Sequence, residues 1–354
     1  MEIVLYSRRL ERETPTRFFV NNPTPSEAKA ALDIGNVIGV VTNGNYLKRM
    51  LTIPETKDYT IAFIDKLIRD GIDDDELIVA LATQNAVNAC AKIWLPIFEC
   101  TNGEKGWVAI QGNPNHDTDY DFIVSEANRF YTVSPNVRVK FPATKEAIKA
   151  LESMTALGKA TLATCGFSVQ YTIEAIEAYQ RGCKLSKRQV PRLYVTLLAG
   201  HIDEYLAKYV KANNISISPG VLSRAGVEIA KTVYKLWYDR YRNTNSRIVS
   251  SCRELYHFTE MVPGDMSVTV NHNFIKELNN LNPNIDNRIS MREPDSVFEE
   301  LKDTFPVFDF STSEKSTKYG CWSMLPTALY FRNYVRSGWD FSTSIVRERR
   351  LMFQ

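Results

Sequence analysis

Eight short runs rich in β-branched and aromatic residues recur along this 354-residue chain, and helix-length stretches separate each run from the next. They are RFFVN (17–21), VIGVVTN (37–43), WVAIQ (107–111), VRVKF (137–141), ATLAT (160–164), RLYVT (192–196), RIVSS (247–251) and MSVTV (266–270). Strands joined by helical crossovers lie parallel, and eight such units are enough to close the sheet on itself. The expected fold is therefore an α/β protein, a (β/α)8 barrel over about residues 16–282. The intervening helices show the matching period, as in Ala147, Leu151, Met154 and Leu157. Pro25-Ser26-Glu27 before an alanine-rich run reads as a helix start, with proline in the first turn.

Two regions fall outside the repeat. Residues 44–106 contain at least two further helical patterns and no Pro/Gly/Ser-rich linker, so they read as an insertion after the second strand. Residues 283–354 are irregular and aromatic-rich, with Trp322, Tyr330, Phe331, Tyr334, Trp339 and Phe341. They are expected to form a C-terminal helix and tail across the barrel, or alternatively a lid over its mouth. The whole chain, 1–354, is expected to be one domain.

The charge balance narrows the function classes. With 43 basic and 41 acidic residues the net charge is +2, and no concentrated basic face is evident. That argues against a nucleic-acid or membrane-surface protein. The nearest basic run, Arg347, Arg349 and Arg350, reads as a solvated tail. The N-terminus has charges where a signal peptide needs an apolar core, and the apolar runs are strand-sized, so a cytoplasmic protein is expected. Six scattered cysteines, Cys90, Cys100, Cys165, Cys183, Cys252 and Cys321, read as reduced thiols. Four histidines without paired ligand spacing make a zinc site unexpected.

Barrel enzymes carry their chemistry at the C-terminal ends of the strands. Here those ends are Asn21, Asn43, Gln111, Lys140, Thr164, Thr196 and Ser251, with Arg253 just beyond. All are polar, although strand propensity does not demand it. Val137, Val139 and Phe141 suit the outer, helix-packed face, which turns Lys140 inward. A buried ammonium is costly unless it is paired or loses its proton, and a lysine that loses its proton is a nucleophile toward carbonyls. By pattern alone, Lys140 could equally snorkel to water, and Gln111 and Thr164 could satisfy backbone groups.

Longer stretches carry a resemblance. Residues 137–182, VRVKFPATKEAIKALESMTALGKATLATCGFSVQYTIEAIEAYQRG, resemble the central segment of transaldolases, with its V-K-[IL]-P-x-T and N-x-T-L-x-F-S motifs. FFVNNPT (18–24) is similar to F-V-D-T-A, GVVTNGNYL (39–47) to G-V-T-T-N-P-S-L, and YVTLLAGHID (194–203) to S-P-F-V-G-R-I-D. IVSSCRELY (248–256) is similar to G-A-S-F-R-N, and SVTVNHNFIKEL (267–278) to L-T-I-S-P-x-L-L-x-E-L. The motifs occur in order, and the length and insertion suit the long type of the family.

The resemblance implies a transferase in which Lys140 forms a Schiff base with a ketose. Thr164 would help hold a catalytic water, and Gln111 stands where relatives have glutamate or glutamine. Asn43, Thr196, Ser251 and Arg253 would bind substrate. It also implies sugar phosphates as partners, no metal or organic cofactor, and a homodimer.

Three departures accompany it. The acid/base aspartate of the first strand is Asn21, which cannot take a proton at neutral pH. A phosphate-binding arginine is His201. S-P-F has become Thr196-Leu197-Leu198, and T-T-N-P-S has become Val-Thr-Asn-Gly-Asn (41–45). Three expectations stay open: a transaldolase with altered substrates, a working pentose-phosphate transaldolase, and a non-catalytic sugar-phosphate-binding protein.

Overall fold

The computed structural model describes residues 4–353. Eight strands close into one all-parallel barrel in sequence order. They are β1 (Arg17–Asn21), β2 (Val37–Val41), β3 (Trp107–Gln111), β4 (Val137–Phe141), β5 (Thr161–Gly166), β6 (Leu193–Leu197), β7 (Ser246–Ser251) and β8 (Ser267–Val270). The (β/α)8 expectation holds, with strand ends shifted by two residues at most. The helix starting at Pro25 is present as Pro25–Ile34, and Thr24 and Glu27 close a reciprocal capping box at its start. In the helix Lys145–Ala156, Ala147, Leu151 and Met154 are buried, whereas Leu157 has left the helix and is exposed.

The barrel interior is layered. Phe19, Ala109, Leu162, Tyr194 and Val249 form an apolar middle layer, one residue from each of five strands. Two residues further along, the same five inward positions are Asn21, Gln111, Thr164, Thr196 and Ser251, and Lys140 of β4 joins them. The period of two thus replaces an apolar layer by a polar one at the C-terminal mouth.

The insertion after β2 consists of three helices, Tyr46–Thr52, Pro54–Arg69 and Asp75–Cys100. Their apolar faces do not pack on the barrel alone. Leu47, Leu51, Ile64, Leu67, Ile78 and Val79 form a second core with Trp339 and Val346 of the C-terminal helix, Pro326–Leu351. The contact is close: a methyl group added at Gly338 would stand 1.9 Å from the Asn45 side-chain oxygen.

Of the final arginines, Arg349 and Arg350 are partly buried in ion pairs, whereas Arg347 stays largely exposed. Arg349 reaches Asp65 at 2.6 Å and Arg350 reaches Asp75 at 2.8 Å, while Arg347 lies 3.3 Å from Asp75. The insertion supplies the carboxylates, and their cost of partial burial is offset by paired guanidinium forks. The C-terminal helix is thereby fixed across the barrel mouth. Among the described residues, no helix is long and apolar enough to cross a membrane, and all six cysteines are free.

Candidate active site

The polar layer opens into a cavity of about 180 Å³ at the C-terminal mouth. Asn21, Asn43, Lys140, Thr164, Thr196, His201, Ser251 and Arg253 all line it. Gln111 does not: with Lys140 it lines a smaller chamber of about 30 Å³ on the β3–β4 side. Lys140 faces both spaces.

Lys140 is buried on β4, beside Gln111 of β3 in the strand register. Its Nζ donates to the Thr42 carbonyl at 2.8 Å. No carboxylate lines the larger cavity among the described residues. Burial without a counter-charge pulls the ammonium down from the usual 10.5 to about 8. Near neutrality a usable fraction is therefore free amine, the form that attacks a carbonyl.

Neither nearby amide restores a base. Asn21 ends β1 at the cavity, and Gln111 is buried with its Oε1 unpartnered and its Nε2 4.0 Å from Cys165 Sγ. Cys165 itself is a feature that strand periodicity misses. It has a φ of +63°, where the β5–β6 register slips between Ala163 and Gly166. Left-handed backbone at a non-glycine residue costs about 1–2 kcal/mol and is most often retained at functional sites. Burial pushes its thiol up to about 11, so it is not a thiolate at neutral pH.

Asn22 is the second residue the sequence reading passed over. At a φ of +48° its side chain turns back, donating from Nδ2 to Asn43 Oδ1 and accepting from the Asn43 N–H, each at 3.0 Å. Asn45 N–H donates to the same Asn43 oxygen at 3.0 Å. With its oxygen saturated, Asn43 has only its amide donors left for a ligand. An asparagine just past a strand end is a usual left-handed residue, and that signal was available.

At the far end of the cavity, Arg253 donates from Nη2 to His201 Nε2 at 2.8 Å. Arginine cannot accept, so the histidine is neutral and carries its proton on Nδ1. Burial first, and then the Arg253 charge, pull its pKa down to about 3. The His201 ring rests against Phe331 at 4.6 Å. Arg253 also lies 3.4 Å from the Glu204 carboxylate. Beneath it, the Arg253 and Glu254 N–H groups donate to His257 Nδ1, and His257 Nε2 meets Asp203 at 2.9 Å. This network holds the backbone after β7 and was not visible in any single motif.

The C-terminal helix roofs the cavity with Phe331 and Tyr334. Next to Phe331, Arg332 grips the buried Asp117 through two hydrogen bonds of 2.6 and 2.7 Å. The helix both packs across the barrel and covers its mouth, so the two sequence readings describe one element. Among the described residues no three His, Cys, Asp or Glu side chains cluster as metal ligands.

This arrangement can bind a polyhydroxylated ligand and present it with an amine. Comparison with known proteins gives the family. A protein named Transaldolase from Mycobacterium tuberculosis is 27% identical over 256 residues, 68% of this chain and 66% of its own length. A Transaldolase from Mycobacterium ulcerans matches to the same extent. Transaldolase 1 of Streptomyces avermitilis is 28% identical over 184 residues, 49% of this chain and 48% of its own. The family model described as Transaldolase/Fructose-6-phosphate aldolase matches residues 19–318. That match begins inside β1 and runs past β8, so it covers every strand end that builds the cavity, and the chain belongs to the transaldolase and fructose-6-phosphate aldolase family.

Proposed function

We propose that this protein is a Schiff-base transferase that moves a dihydroxyacetone unit from a ketose donor to an aldose acceptor. The observation that carries the reading is Lys140, a buried amine without a carboxylate partner, set in a ring of amides and hydroxyls. In this reading the Lys140 amine adds to the ketose carbonyl, and the carbinolamine loses water to give an iminium. The C3–C4 bond then breaks, its electrons passing to the cationic nitrogen, while the C4 hydroxyl gives its proton to water and an aldose leaves. The enamine attacks the acceptor aldehyde, and water hydrolyses the new iminium to free the lysine.

In this mechanism, Thr164 holds water beside the imine, and Asn43, Thr196 and Ser251 hydrogen-bond the sugar hydroxyls. Asn21 orients the C4 hydroxyl without accepting its proton. General-base catalysis contributes ~10²–10⁴-fold, so C–C cleavage is slow for this family. The altered-substrate version is favoured over a housekeeping pentose-phosphate enzyme by the far end of the cavity. There Arg253 is shared with Glu204, and the neutral His201 adds no charge. A permanent bidentate guanidinium pair would hold a phosphate dianion much more firmly.

The test is a panel of phosphorylated and free ketoses, each offered with an aldose acceptor and followed by product chromatography. Transfer from at least one donor, lost in Lys140→Met, is expected. Binding without transfer for every pair would instead make the protein a non-catalytic sugar-phosphate binder.

A further inference from the structure

Imine chemistry needs a group that gives a proton to the departing carbinolamine oxygen and later takes one from the attacking water. The larger cavity has no carboxylate among its lining residues, and the strand ends offer amides at Asn21 and Gln111. Two carboxyls, Asp117 and Glu126, face the small chamber on the other side of Lys140. We propose that Glu126 is the proton relay for Lys140, acting through water in the chamber that both residues line; this rests on the Schiff-base reading above.

The local geometry brings the carboxyl to the strand end. Glu126 belongs to the helix Tyr120–Phe130 and is 6% exposed, an unusual place for a carboxylate. Its Oε2 accepts the Asn113 N–H at 2.8 Å. A methyl group added at Gly112 would stand 1.9 Å from that oxygen, so only glycine leaves the carboxyl room at the end of β3. The preceding residue, Gln111, is the register neighbour of Lys140. The chamber, about 30 Å³, has room for about one water. Gln111 and Cys165 line it too, but neither transfers protons there: one is an amide, the other a thiol held up at about 11.

Asp117 is a poor alternative. Arg332 holds both its oxygens and Arg336 approaches at 3.3 Å, so its lone pairs are already taken. Glu126 differs. Its burial is opposed by the Asn113 N–H, by Arg129 at 3.3 Å on its own helix and by His116, and is reinforced by Glu76. Burial prevails and raises the carboxyl to about 7. It is thus present in both forms near neutrality, as a two-way relay must be.

The step balances. The Glu126 carboxyl passes its proton through the chamber water to the carbinolamine oxygen. The C–O bond breaks with its electrons on oxygen, the nitrogen lone pair forms the C=N bond, and water leaves. Hydrolysis runs the same path backwards and returns the proton to Glu126.

Oxygen exchange reads this step without any C–C cleavage. Dihydroxyacetone in ¹⁸O-water exchanges its carbonyl oxygen each time the imine forms and hydrolyses. The unmodified protein is expected to show an inflection in exchange rate near pH 7. Glu126→Gln is expected to lose that inflection and slow exchange about 10²-fold, with borohydride still trapping the adduct on Lys140. Glu126→Asp, which keeps a carboxyl, should recover part of the rate and a shifted inflection. Equal exchange rates and pH profiles in unmodified protein and Glu126→Gln, with adduct in both, would overturn the relay and leave the Schiff base standing. No inflection between pH 6 and 8 in the unmodified protein would overturn it too, even if the variants fail to fold. No adduct on Lys140 in the unmodified protein would sink the Schiff-base reading, and the relay with it.

Discussion

Arg138 and Lys140 sit two residues apart on β4, both turned into the barrel and both buried, yet the protein treats their charges in opposite ways. Arg138, toward the N-terminal mouth, is stacked between Trp107 and Tyr194, 4.6 and 4.8 Å from the ring centres. Its guanidinium donates to the Thr161 carbonyl at 3.0 Å and to the Arg192 carbonyl. It stays charged at physiological pH although burial lowers it to about 10. Among the described residues, Lys140 has one carbonyl partner and no aromatic face, and it gives up its proton at about 8. Burying a cation carries the same kind of penalty at both places. Arg138 offsets it with contacts and becomes structure; Lys140 relieves it by deprotonating and becomes a nucleophile.

Substitutions can break that contrast. The largest effect is expected for Lys140→Met, which should abolish the borohydride adduct and any sugar transfer without lowering the midpoint of denaturant unfolding at pH 7. Asn21→Asp should raise ketose cleavage by ~10²–10⁴-fold by restoring a base. The new carboxylate should also lift the Lys140 pKa, moving the ascending limb of the rate profile to higher pH. Arg138→Met should do the reverse of Lys140→Met. It should cost about 2–4 kcal/mol in urea unfolding, because two buried carbonyls lose a charged donor, while the folded fraction still forms the adduct.

The pH dependence of stability sharpens the same point. Below pH 8, Lys140 is protonated whether the chain is folded or not. Between about 8 and 10.5 the unfolded chain binds a proton that the folded protein does not, so this group makes stability rise with pH in that window. The rise should reach at most about 3 kcal/mol, measured as the difference between unmodified protein and Lys140→Met. The smallest effect is expected at Thr164→Val. Losing one hydroxyl near the imine should slow its hydrolysis roughly tenfold, in line with one hydrogen bond to a charged centre.

The barrel was legible because parallel strands buried on both faces are written as compact β-branched runs, and the helices between them have their own period. The polar layer was legible too, since polar residues at successive strand ends have no reason to be there in a packed core. Choosing among the inward residues was not. The period-two rule turns Arg138 inward as surely as Lys140, and only the transaldolase-like motif separates them. The His201–Arg253 contact, and the arginines near 350 reaching Asp65 and Asp75, join residues 52 or more positions apart. No local pattern encodes such pairs. Cys165 was hidden for a different reason, because a run such as ATLAT gives no sign that its strand will bulge one residue later.

The most direct measurement is pH-resolved borohydride trapping with dihydroxyacetone, read by peptide mass mapping. The prediction is a single reduced adduct on Lys140 whose initial rate of formation climbs through a midpoint near pH 8. An adduct on other lysines only, or a midpoint near the ordinary 10.5, would contradict the claim that burial has made Lys140 the nucleophile.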